Sequence, residues 1–167
     1  METVIVAFAF GAPYSTLSNQ RIAQIASRKA RELHISIYTQ LDVRIEPDIE
    51  VRRVKENPGN PPSTWRIARG VVQLAEQQGF NEILIVAAKP HLPRALRDVE
   101  RAVREAGKDI KIRVCEEIEQ YPENSWFCPD STQDRVRSKK KWDKREKIFK
   151  LMPFFIYKNI ATKVMRY

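Results

Sequence analysis

Polar residues suited to binding an anion gather in three short stretches of this chain. His91-Leu92-Pro93-Arg94-Ala95 follows the apolar run Ile83–Ala88, with Lys89 just before it. Ser63-Thr64 follows the turn-rich run Asn57-Pro58-Gly59-Asn60-Pro61-Pro62. Gly11, Ser15, Ser18, Asn19 and Arg21 follow the apolar run Thr3–Phe10. Lys89, Arg94 and Arg21 bring positive charge. Ser63, Thr64 and Asn19 bring hydroxyl and amide groups, and Gly11 lets the backbone come close to a ligand. His91 can hydrogen-bond or carry a proton near neutral pH. Together they suit a small molecule bearing phosphate or carboxylate. Each Ser, Thr or Asn also has a plain structural role as a helix cap, and a lone loop histidine is commonly a structural residue. There is no Ser/His/Asp order, no Walker or G-x-G-x-x-G loop and no metal-ligand spacing, so no reaction, metal or cofactor is implied.

Alternating segments position these residues. Thr3–Phe10 and Ile83–Ala88 read as strands buried on both faces. Ile35–Thr39 and Ile110–Cys115 read as further strands, and Ile49–Val54, alternating apolar and charged, as a half-exposed one. Ser18 or Asn19 caps a helix carrying Ile22, Ile25, Ala26, Ala30 and Leu33. Ser63 or Thr64 caps a second, with Ile67, Ala68, Val71, Leu74 and Ala75 on one face and Gly79 at its end. Pro93 suits the first turn of a third, whose stripe is Leu96, Val99, Ala102, Val103 and Ala106, closed by Gly107. The alternation predicts a three-layer, Rossmann-like α/β domain over residues 1–120, with a mostly parallel sheet of about five strands. All three stretches then fall at the carboxyl edge, where helix N-termini collect. One link is irregular. Gln40–Asp48 is too short for a crossover helix, so its flanking strands are either antiparallel neighbours or joined by a bare loop.

The net charge of +9 is unevenly spread. From Arg135 onward, 12 lysines and arginines face only Asp143 and Glu146, giving +10, so residues 1–134 carry −1. Residues 121–167 read as a basic C-terminal extension, helical in pattern, in which 148–167 mixes Phe149, Leu151, Met152, Phe154, Phe155, Ile156, Ile160, Val164 and Met165 with lysines. Pro153 breaks or kinks its last helix. Three readings stand for 135–167: helices packed on the domain, docking on an anionic membrane surface, or nucleic-acid binding with Trp142, Phe149 and Tyr157 as stacking groups. Cys115 and Cys128 have no metal or redox spacing and read as reduced thiols. Glu2 ahead of a short apolar run argues against a signal peptide. These features predict a cytoplasmic protein, with peripheral attachment to the inner membrane surface as the variant.

The strand Ile83–Ala88 followed by His91-x-x-Arg94-Ala95 resembles the signature of the YdcF/SanA-like family. Ser63-Thr64 with Ala68 is similar to that family's Asn-Thr … Asn-Ala segment, Glu56 to its preceding acid, and Arg21 to its early arginine. The likeness covers roughly residues 3–115. Tyr38-Thr39-Gln40-Leu41 stands where the family has a Ser-Gly-Gly turn, and the helix after that turn has no room here. The resemblance implies a Rossmann-like domain with a nucleotide-sized pocket and a poorly defined activity; several members are linked to the bacterial envelope. The resulting expectation is a pocket for an anionic, nucleotide-like small molecule. Gly11, Asn19, Arg21, Ser63, Thr64, Lys89 and Arg94 would be its binding residues and His91 its candidate catalytic group. The alternative is a binding module that works through the basic tail.

Overall fold

A computed structural model of the chain describes residues 2–57 and 60–163. Pro58 and Gly59 of the turn cluster, and Val164 and Met165 of the terminal segment, lie outside the described residues. Five strands form one parallel sheet: β1 (Thr3–Ala7), β2 (Ile37–Thr39), β3 (Val51–Arg53), β4 (Glu82–Val86) and β5 (Lys111–Val114). Their order across the sheet is β3-β2-β1-β4-β5. Register is continuous at the centre, where Ile5 pairs with Ile37 on one side and Leu84 on the other. The direction of winding reverses between β1 and β4, so a crevice opens beyond their carboxyl ends.

Alternation along the strands assigns side chains to two cores. Ile5, Ala7, Leu84 and Val86 face α1 (Leu17–Leu33), and Val4, Val6, Ile83 and Ile85 face α2 (Thr64–Gln78) and α3 (Leu92–Ala106). The strands are fully buried at β1 and β4 because both faces are covered. Ser63 caps α2, accepting the Arg66 backbone N–H at 3.1 Å. Thr16, rather than Ser18 or Asn19, occupies the cap position of α1, and it makes no side-chain cap bond. Gly79 and Gly107 end α2 and α3 in the left-handed conformation, at φ of 76° and 63°.

The irregular link between β2 and β3 is the bare loop. The two strands are parallel, with Ile37 opposite Val51. Val43 and Ile45 from this loop enter the α1-side core in place of a helix. Arg53 donates to the carbonyls of Gln40 and Val43, at 2.8 and 3.3 Å, and so fixes the loop without a crossover element.

The C-terminal segment packs against both cores. Short 3-10 turns at Glu116–Gln120, Glu123–Trp126 and Asp134–Val136 lead to α4 (Lys139–Leu151) and α5 (Phe154–Lys163). Ile118, Trp126, Val136 and Trp142 join the core beside α1, and Tyr157 joins the core beside α2 and α3. Trp142 and Tyr157 are each only 3% exposed. Pro153 falls between α4 and α5, where a residue without an N–H ends the helical ladder. No described helix is long and apolar enough to cross a membrane.

Candidate functional site

A pocket lies over the crevice, with about 810 Å³ of empty space, part of it open to solvent at the mouth. Its floor is built by the loops after β1 and β4 and by the start of α2. Its cover is built by the Gln133–Val136 turn, α4 and α5.

His91 stands at the centre of the floor. Its Nε2 lies 3.1 Å from the hydroxyl of Thr64, which joins the first turn of α2 to the loop before α3. Its ring meets Phe8 and Trp142 edge to face, at centroid distances of 5.8 and 5.6 Å, and Phe10 at a tilt, at 6.3 Å. Nδ1 faces the Ala9 backbone without a well-formed hydrogen bond. Burial holds the imidazole pKa well below its usual value, and the neighbouring Arg94, Arg145 and Arg135 charges push it the same way. His91 is therefore neutral at pH 7: it can accept or donate a hydrogen bond but contributes no charge.

The charge comes from three arginines. Arg94, 9% exposed, reaches in from the first turn of α3. Arg135 arrives from the last 3-10 turn and Arg145 from the inner face of α4. Burial and mutual repulsion push the pKa of Arg145 down to about 9 and that of Arg135 to about 10. Both remain charged at neutral pH. The Glu146 carboxylate opposes them directly, while that of Asp98, one turn on from Arg94, is taken up by Arg97 and the Tyr157 hydroxyl. Glu146 Oε1 lies 3.2 Å from Arg94 Nε, an ion pair whose geometry falls short of a hydrogen bond. The buried Nη1 of Arg145 has no hydrogen-bond partner. The guanidinium of Arg94 sits 5.3 Å from both the Trp142 and Phe149 ring centres, and that of Arg145 sits 4.7 Å from Phe149. These aromatic faces hold the two forks in place. With His91 neutral, the three arginines and Glu146 leave a charge of +2 in a partly enclosed pocket.

No family model matches the chain, and no curated protein matches it. The chemistry of the site follows from its geometry alone.

The residues singled out in the sequence divide into two groups. Gly11, Ser63, Thr64, His91 and Arg94 meet in the pocket wall. Asn19, Arg21 and Lys89 do not line it. Asn19 is wholly buried and braces the β1–α1 loop, accepting the Phe10 N–H at 2.8 Å and donating to the carbonyls of Gly11 and Pro13, each at 3.1 Å. Arg21 donates to the carbonyl and hydroxyl of Ser125 and lies over Tyr121 at 4.0 Å. Lys89 pairs with Glu119 at 2.6 Å. Gly11 has a second role. At its φ of 94°, an added Cβ would lie 2.6 Å from Val136 Cγ2 and 2.7 Å from Ser131 Oγ. The close approach it permits is therefore also that of the chain's own C-terminal segment.

Sequence reasoning missed Arg135, Arg145, Gln40 and the pocket roles of Trp142, Phe149 and Tyr157. A usable signal existed for Arg145. Trp142, Arg145 and Phe149 are spaced i, i+3, i+7, so they share one helix face. An arginine between two aromatics on a buried face is a charge held inside. The separation of charge along the chain does not persist in space, because two of the tail's cations stand beside Arg94.

Proposed function

We propose that the pocket binds a small molecule through a doubly charged anionic group, with a phosphate monoester as the fitting class. The observation that carries this reading is the convergence of Arg94, Arg135 and Arg145 with only Glu146 as a direct ion-pair partner among the described residues. Clustered, largely buried cations are costly, and a dianion offsets that cost. Guanidinium forks match phosphate oxygens two at a time. The N-terminus of α2, at Ser63 and Thr64, adds a favourable dipole. Pro61, Pro62, Ile67 and Ile160 form an apolar side of the pocket. That side suits the uncharged part of the ligand, as a nucleotide or sugar phosphate would supply. Arg135 and Arg145, rather than Lys89 and Arg21, provide the charge beside Arg94. His91 and Thr64 serve as neutral hydrogen-bonding groups, and no reaction is assigned to them.

Thermal shift tests this. Inorganic phosphate, a nucleoside monophosphate and a sugar phosphate are compared with acetate and a phosphate diester, on the wild-type chain and on Arg145→Gln. At a hundred times Kd, binding adds about 2.7 kcal/mol, which raises Tm by roughly 5–10 °C for a chain of this size. Monoesters are expected to give the largest shift, and Arg145→Gln to lose most of it. Equal shifts in both proteins, or none with any phosphate, would sink the reading.

A further inference from the structure

The corner between α4 and α5 carries an exposed apolar surface outside the pocket, meeting it only at Ile160. Leu151 is 86% exposed, Phe155 67% and Ile148 55%, with Ile156 and Ile160 also exposed. Ile148 and Leu151 lie one turn apart at the end of α4. Phe155 and Ile156 follow Pro153 in the first turn of α5, and Ile160 lies one turn further on. Lys140, Lys144, Lys147 and Leu151 are spaced i, i+4, i+7, i+11, so they form one stripe opposite the buried Trp142–Phe149 face. Lys150 flanks it. Other lysines of the segment are paired: Lys139 with Glu123 and Asp143, Lys141 with Asp134, Lys158 with Glu105. Among the described residues, Lys140, Lys144, Lys147 and Lys150 have no carboxylate partner.

We propose that the α4–α5 corner docks on an anionic lipid surface, with Leu151 and Phe155 entering the interface and Lys140, Lys144, Lys147 and Lys150 meeting the headgroups. Large apolar side chains following a stripe of unpaired cations match a surface that is negative outside and apolar beneath. Nucleic acid fits less well, because Trp142 and Tyr157 are buried and Phe149 faces the pocket arginines, so the stacking groups are withdrawn. A two-fold contact between copies would set these unpaired lysines against one another. The proposal is independent of the pocket ligand.

Full-length protein is co-sedimented with vesicles of phosphatidylglycerol mixed with phosphatidylcholine, and with phosphatidylcholine alone, at low and high salt. Wild type is expected to bind only the anionic vesicles, less so at high salt. Lys144→Gln with Lys147→Gln is expected to weaken binding roughly 25-fold, at about fivefold per lysine. Leu151→Ser with Phe155→Ser is expected to abolish it. All four side chains are exposed, and an unchanged Tm together with an unchanged phosphate-induced shift shows that fold and pocket are intact. Equal binding to neutral vesicles, binding indifferent to both double variants, or none at all overturns the proposal. So does a gel shift with oligonucleotides lost in the lysine variant when vesicle binding is absent, or a dimer broken by the Leu151 variant.

Discussion

Trp142 donates its indole N–H to the carbonyl of Pro90 at 3.0 Å, tying α4 to the loop that presents His91. The two residues are 52 positions apart, and the bond makes the basic segment a wall of the pocket. The ring also meets Phe10 edge to face, at a centroid distance of 4.8 Å. Trp142→Ala is expected to destabilise the chain by about 3–5 kcal/mol, as emptying a large buried aromatic site does. Trp142→Phe, which loses chiefly the hydrogen bond and leaves the Pro90 carbonyl short of a donor, is expected to cost about 1–3 kcal/mol. Chemical denaturation measures both. A near-zero cost for Trp142→Ala would mean that α4 is not anchored on the domain.

The arginine cluster predicts a trade between stability and binding. Arg145 is held charged although burial and the Arg94 and Arg135 charges oppose it. Arg145→Gln relieves that repulsion and is expected to raise the stability of the ligand-free chain by about 0.5–2 kcal/mol. The same variant is expected to lose the phosphate-dependent rise in Tm. Destabilisation with the phosphate response retained would show that Arg145 serves packing.

His91 sets a pH dependence. The folded chain keeps it neutral until well below the ordinary 6.5, whereas the unfolded chain takes up the proton near that value. Between the two values the unfolded state binds more protons, so stability falls as the pH drops below about 6.5. The slope reaches at most about 1.4 kcal/mol per pH unit. His91→Asn is expected to flatten that part of the profile, read as the difference between the two proteins' denaturation midpoints from neutral pH downward. Identical profiles would place His91 in a setting where it protonates normally.

Gly70 offers a control away from the arginines. An added Cβ there would sit 2.6 Å from Cζ of Tyr38, whose buried ring packs against α2. Alanine favours a helix by about 1 kcal/mol over glycine. The clash is nonetheless expected to win, so that Gly70→Ala lowers stability by about 1–3 kcal/mol. The phosphate-dependent shift in Tm should survive. Its loss would tie ligand binding to global stability rather than to the pocket.

The sequence by itself determined the five strands, the three helices of the domain and the sheet edge where the candidate residues gather. The apolar runs Thr3–Phe10 and Ile83–Ala88 that contain β1 and β4, the helix start at Ser63 or Thr64, the glycine ends at Gly79 and Gly107, and the stripes of α2 and α3 depend on neighbours a few residues away, so periodicity and turn chemistry reveal them. That the β2–β3 link is a bare loop between parallel strands was one of two open readings. It was decided by burial of Val43 and Ile45. Only the tertiary structure decided which cations share the pocket. Arg94 and Arg145 come from helices far apart in the chain, and no local pattern records their approach. Conversely, Arg21 and Lys89 are cations at suitable chain positions whose side chains are taken up by Ser125, Tyr121 and Glu119. A charge run read along the chain looks like a solvated face, but folding sorts it by helix face. Arg145 turns inward beside Trp142 and Phe149, while Lys144 and Lys147 turn out to solvent. The physical reason is that burial is decided by long-range packing, which sums contacts from every layer, whereas sequence pattern records only what one helix or strand does alone.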